Sequence, residues 1–389
     1  MGLRRKEAVT GIYAHIPFCI RKCPYCAFNS ASAPAEGIPE TRYITCLSQE
    51  LSAVIERENL AGPPATVYLG GGTPSLLSPR AIADFLQSID RTLGKGAKEI
   101  TIEANPDTLT LPKLEGYYAS GVNRLSIGFQ SFEEAGLAAL GRTHTVETSI
   151  KAYGWARQAG FKNIGIDLIF GTLGQTLRGW EAALEKAVDL KPEHISLYGM
   201  TIEEGTPFYR KYGPGKKGLP GEEAEAEMLL VAIRVLKGAG YRHYEVSNFA
   251  LPGFESSHNT LYWKGNPYIG LGAGAHSYMP WPDWGRRWWN AASANEYMDR
   301  VEKRLDPAEG KEELTRKDAI AEAVMLGLRM IDAGINGEAF REKFGNYPAE
   351  ALSGFKALVA DGLLEKKGED IFVTQKGLLV LDEVALKLI

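Results

Sequence analysis

Three cysteines within eight residues, in the stretch HIPFCIRKCPYCAF (15–28), are the part of this 389-residue chain best suited to chemistry. Cys19, Cys23 and Cys26 place three soft thiolate donors on one short loop. Zinc normally takes four protein ligands, so a zinc site would need a fourth, for which His15 is the nearest candidate. A redox CxxC is also present as Cys23-Pro24-Tyr25-Cys26, but that reading leaves Cys19 without a task. Iron–sulfur clusters are held by thiolates at this tight local spacing. Three thiolates on a four-iron cluster leave one iron without a protein ligand, and that iron can bind a second molecule. Cys46 lies 20 residues beyond Cys26, on a helical pattern, and reads as a buried free thiol.

The spacing CxxxCxxC, with the aromatic Tyr25 before its last cysteine, resembles the radical S-adenosylmethionine (SAM) superfamily. The resemblance implies a 4Fe–4S cluster on Cys19, Cys23 and Cys26, whose open iron chelates the amino and carboxylate groups of SAM. It also implies reductive cleavage of SAM by an electron from the cluster.

Such a loop needs a scaffold. Apolar β-rich runs recur at 11–18, 66–72, 99–105, 124–131, 163–171 and 194–201, and amphipathic helical stretches such as PRAIADFLQSIDRTL and LRGWEAALEKAVDL lie between them. Alternating strands and helices predict a parallel sheet with right-handed crossovers. Six units in about 200 residues predict an α/β fold, a partial (β/α)6 barrel rather than the full eight. The chemistry of such barrels sits at the C-terminal strand ends. Polar or glycine residues stand at those ends: Gly70 to Thr73, then Glu103 with Asn105, and Gln130, with Asp167 on the fifth strand and Arg142 in a loop.

GIYAHIPFCIRKCPYCAF, YLGGGTPSLL, IEANPD, RLSIGFQSF, LGRTH and IDLIFG together resemble the HemN/HemW group of radical SAM proteins, over essentially the whole chain. By that resemblance Tyr13, beside the cluster loop, contacts SAM together with Tyr25, Gly71, Gly72 and Thr73. Glu103, Gln130, Arg142 and Asp167 continue the same pocket, toward the ribose and methionine ends. FGTLGQT stands where the group usually shows a Leu-Pro pair, which touches none of these residues. Oxygen-independent coproporphyrinogen III oxidases of the HemN type carry a further cysteine two residues after the third, and a long N-terminal segment. Here that position is Phe28, and 18 residues precede Cys19. His258-Asn259-Thr260-Leu261-Tyr262-Trp263 matches the HNxxYW motif of the HemW type at every fixed position. The resemblance therefore implies a haem chaperone that passes haem to apo-haemoproteins, with no catalytic residue of its own assigned. Coproporphyrinogen decarboxylation is the alternative.

His258 is the expected haem ligand, since a neutral imidazole binds haem iron and Tyr262 and Trp263 could pack the porphyrin. His144 and His276 are its rivals. WPDWGRRWWN (281–290) reads as a packing strand, or as a surface accepting a planar anionic ligand. GLGAGAH is glycine-rich, yet it is not a dinucleotide fingerprint.

Net charge is −4, and residues 312–389 hold 10 Lys/Arg against 14 Asp/Glu. That C-terminal part reads as a winged-helix-like α+β unit with a hairpin turning at Gly368-Glu369-Asp370, but its charge has the wrong sign for nucleic acid. Three regions are expected: 1–210 as barrel, 211–300 as an extension carrying the HNxxYW segment, and 301–389 as a C-terminal domain around a charged boundary. Four cysteines in so long a chain, no signal peptide and no 18-residue apolar run predict a cytoplasmic protein, with peripheral membrane attachment left open. A flavodoxin- or ferredoxin-like electron donor is expected. The sequence leaves a homodimer open.

Overall fold

A computed structural model describes all residues except 1–6, 9, 10, 35, 36 and 214–217. Six parallel strands form its centre: β1 (Gly11–Ile16), β2 (Thr66–Gly71), β3 (Glu99–Ala104), β4 (Arg124–Gln130), β5 (Ile164–Phe170) and β6 (His194–Gly199). Each neighbours the next in chain order, so the expected (β/α)6 arrangement is present and begins and ends within a residue or two of the predicted runs. The strands are apolar and buried along most of their length, because helices cover the face turned away from the barrel interior. Those helices include α1 (Glu40–Glu58), α2 (Pro79–Leu93), α3 (Leu111–Ala119), α4 (Val146–Gln158) and α5 (Leu177–Asp189). Their starts are written locally: Ser78, Thr145 and Thr176 each accept a backbone N–H from the first helical turn.

The barrel does not close on itself. β6 pairs antiparallel with β8 (Asn248–Ala250), which pairs with β7 (Arg242–Glu245). On the other side β1 pairs in parallel with β9 (Tyr268–Leu271), and the sheet continues antiparallel through β10 (His276–Met279), β11 (Arg286–Asn290) and β12 (Ala308–Glu313). The result is one twelve-stranded sheet, in the order β7-β8-β6-β5-β4-β3-β2-β1-β9-β10-β11-β12.

This corrects the expected boundary at 301. Residues 308–313 belong to the large sheet as its edge strand, and the sheet runs on to Glu313. Their charges had suggested a linker, yet charged side chains are what an edge strand carries to discourage further pairing. The C-terminal unit begins with α7 (Arg316–Arg329), closed by a Thr315–Asp318 capping box. A hairpin of β13 (Leu364–Lys367) and β14 (Asp370–Val373) follows, turning at Gly368-Glu369, and α8 (Leu381–Leu388) comes after it. No described helix is long and apolar enough to cross a membrane.

Candidate functional site

The C-terminal ends of the six parallel strands open into a cavity of about 490 Å³. Cys19, Cys23, Tyr25, Cys26, Gly71, Gly72, Thr73, Glu103, Gln130, Arg142 and Asp167 all line it. Eleven of the thirteen residues predicted from sequence are thus gathered from five strands and two loops into one space. Tyr13 and His258 are not.

The cysteine loop leaves β1 and is held from several sides. The His15 ring accepts or donates at both nitrogens, with Tyr13 Oη at 2.9 Å and the Asn29 carbonyl at 2.7 Å. It is therefore committed to positioning the loop and is not a fourth metal ligand. Asn29 Nδ2 donates to the carbonyls of Ala273 and Ala292, both at 3.0 Å, and moors the far end of the loop to the β9–β12 extension. The Phe208 N–H donates to the Pro24 carbonyl at 3.0 Å. Among the described residues no three Cys, His or carboxylate side chains surround a single ion. Three thiols lining one cavity instead suit a cluster, where each thiolate takes a different iron. Arg142 Nη1 lies 3.4 Å from Cys23 Sγ, a cation beside the most central thiol, as an anionic thiolate set requires. Burial raises the Cys26 thiol above its ordinary pKa.

Gly71 and Gly72 owe their identity first to packing. Gly71 has φ +115°, and a Cβ there would lie 2.7 Å from the His15 ring. A Cβ on Gly72 would lie 2.7 Å from the Phe18 carbonyl oxygen. Side chains at either position would push the cysteine loop off its seat.

Polar groups converge behind this loop. Glu103 accepts from Tyr68 Oη at 2.7 Å and from the Gly71 N–H at 3.1 Å. Burial pushes its carboxyl up to about 7, and nearby Asp167 adds to the rise. Asp167 accepts from Ser126 Oγ at 3.0 Å, and burial raises its pKa too. Asn105 links the rest: its Oδ1 accepts from Arg142 Nη2 at 2.6 Å, and its Nδ2 donates to Thr73 Oγ1 at 3.1 Å. Gln130 stands after a bulge in β4 with φ +64°, which turns its amide away from the regular ladder. Two half-buried carboxyls, an amide, a guanidinium and hydroxyls suit a ligand that carries amino, carboxylate and sugar hydroxyl groups.

The sequence singled out Asn105 without a role and His15 only as a possible fourth zinc ligand, and it gave no sign of Ser126 or Asn29. Asn105 was visible as a strand-end polar residue, whereas Ser126 lies inside its strand. The pairing of His15 with Asn29 had no sequence signal.

Tyr13 bonds His15 rather than reaching the cavity, and its ring lies 6.1 Å from that of Tyr68. His258 sits at the opposite end of the barrel. The helix carrying it, α6 (Ser257–Trp263), is capped by Ser256 and presents the N–H groups of Ser257 and His258 to Glu99, each at 2.9 Å. Glu99 and Thr66 open β3 and β2, so α6 plugs the N-terminal mouth. The His258 ring is 1% exposed and bonds Thr66 Oγ1 through Nδ1 at 2.7 Å and Tyr262 Oη through Nε2 at 2.8 Å. Burial, aided by the Arg124 cation, pushes its pKa down to about 3. Both ring nitrogens of His258 are thus engaged, and the ring has no opening to solvent in this structure.

The whole chain has relatives. It is 36% identical over 96% of its length to the heme chaperone HemW of Bacillus subtilis, and spans 97% of that protein. With the HemW of Lactococcus lactis it shares 38% identity over 94% of this chain and 93% of that one. This chain belongs to the HemW family. The radical SAM superfamily profile matches residues 13–187 and the HemN C-terminal domain profile residues 314–380. Superfamily membership brings a 4Fe–4S cluster and SAM. The solved structure of coproporphyrinogen III oxidase (HemN) from Escherichia coli, itself described as a radical SAM enzyme, has the same fold: TM-score 0.81, 23% identity, covering 99% of this chain and 91% of that one.

Proposed function

We propose that this protein is a haem chaperone: it binds haem, carries a 4Fe–4S cluster with SAM, and hands haem to apo-haemoproteins. The near full-length similarity to proteins named heme chaperone HemW carries this reading. Cys19, Cys23 and Cys26 would hold the cluster, which supplies one-electron chemistry toward SAM when reduced by a flavodoxin- or ferredoxin-like donor. Arg142 would balance thiolate charge beside Cys23. Ionised Glu103 would accept a hydrogen bond from the SAM amino group, with Asp167 and Gln130 toward the ribose. Phe28, 67% exposed on the cavity rim, stands where the oxidase type has a further cysteine, which speaks against coproporphyrinogen decarboxylation.

The test pairs two anaerobic assays on cluster-reconstituted protein. Hemin-loaded protein mixed with an apo-haemoprotein is expected to restore the acceptor's absorbance. Incubation with coproporphyrinogen III, SAM and a reductant is expected to give no protoporphyrinogen. Protoporphyrinogen formation without haem transfer would reverse the reading.

A further inference from the structure

We infer that Arg124, in the middle of the barrel, is a positioning residue for SAM: from one layer beneath Glu103 and Asp167 it supplies the positive charge that lets them meet the ligand as carboxylates. The inference rests on the reading of those two residues as SAM-binding groups.

Arg124 opens β4 and is 2% exposed, which makes it one of the largest fully buried side chains of the molecule. Ser126 and Gly128, on the same face of the strand, line the cavity, so strand alternation turns Arg124 into the barrel as well. Its register partner on β3 is Thr101, and the next same-face pair is Glu103 with Ser126. The Arg124 backbone therefore lies about 7 Å along the strands from the layer that holds Glu103.

A buried cation normally carries a contact partner, because leaving it bare is costly. Arg124 departs from that rule. Its Nε has no hydrogen-bond partner, and the Thr101 hydroxyl is unpartnered too. No ion pair among the described residues includes it. Local bonding does not account for a guanidinium at this depth.

The carboxyls that face the same interior do account for it. Glu99, at the N-terminal mouth, is already taken up by the N–H groups of Ser257 and His258. Glu103 and Asp167 line the cavity instead. Burial raises the pKa of both, and the charge of Arg124 draws both back toward ionisation. The other titratable side chains close to Glu103 are Tyr13, Tyr68, Tyr198 and Tyr262, which burial holds as neutral phenols. Arg142, the second cation near Asp167, is committed to Asn105 and Cys23. A contact ion pair would occupy the carboxylate oxygens. A cation one layer down keeps the charge and leaves those oxygens to accept from a ligand.

SAM binding to the cluster-reconstituted full chain, measured by anaerobic calorimetry from pH 6 to pH 9, tests this with the parent, Arg124→Met, Glu103→Gln and the double variant. In Arg124→Met the midpoint of the affinity rise is expected to move up by about one to two pH units, with binding about tenfold weaker at pH 7 and close to the parent at pH 9. In the Glu103→Gln background the same substitution is expected to change affinity by less than about threefold. Arg124→Gln, neutral and polar, carries the same expectation where the methionine variant does not fold. A parent whose SAM affinity is absent or flat with pH would remove Glu103 from the ligand, and the role of Arg124 with it. Should the parent show the rise while the folded Arg124 variants keep its midpoint, or lose affinity equally at every pH, Arg124 is a packing residue and the reading of Glu103 stands.

Discussion

The two mouths of the barrel are built from the same six strands, yet they treat polar side chains in opposite ways. At the C-terminal mouth, Glu103, Asp167, Gln130 and three thiols face an open cavity of about 490 Å³. At the N-terminal mouth, His258, Thr66, Tyr262 and Glu99 satisfy one another under the plug of α6. Buried polar groups that already have partners stabilise a fold, and those aimed into a cavity await a ligand. A family motif such as HNxxYW therefore need not mark a ligand-binding residue. It can mark the packing that keeps the other mouth in shape.

The contrast is broken most decisively at the open mouth. Replacing Cys19, Cys23 and Cys26 by alanine is expected to abolish cluster incorporation completely, read as loss of the EPR and visible absorbance after anaerobic reconstitution. Retention of either signal would remove the thiol loop from its role. The plugged mouth should respond in stability instead. His258→Ala orphans the Thr66 and Tyr262 hydroxyls and leaves a cavity, so urea unfolding is expected to show a loss of about 2–4 kcal/mol. SAM affinity of the folded fraction should stay within about twofold. An unchanged midpoint would mean that α6 is not the plug described.

A smaller effect sharpens the open mouth. The Glu103 pKa of about 7 lies above its ordinary value, so the carboxyl is mostly protonated at pH 6 and mostly ionised at pH 8. An amino group that donates its N–H binds the ionised form, so SAM affinity should rise about tenfold between those pH values. Calorimetry with Glu103→Gln is expected to give weaker binding and a flat profile. A slope that survives in Glu103→Gln would assign it to another group.

The six barrel strands were legible because each is an apolar run ended by glycine or polar residues, and the cysteine triad because its spacing is local. The C-terminal hairpin was legible from its glycine turn. What could not be read were partnerships across long separations. His258 meets Thr66 and Glu99 across 192 and 159 residues, so the partners of that motif could not be read from its own segment. The β9–β12 extension was hidden for a related reason. Its strands are short, and β12 carries alternating charge rather than an apolar stripe, since both its faces are largely exposed. Of its members, only the tryptophan-rich run at 286–290 read as a strand.

The Asn29 mooring has a consequence for biosynthesis. Its two acceptors lie 244 and 263 residues downstream. The cysteines leave the ribosome among the first residues of the chain, but the seat that holds their loop exists only after residue 292 has emerged and β9 to β11 have docked beside β1. The thiols of a nascent chain hang on an unanchored segment. Cluster delivery therefore belongs after the extension has docked, and a chain truncated before the extension would keep every cysteine yet lose the geometry that makes them a site.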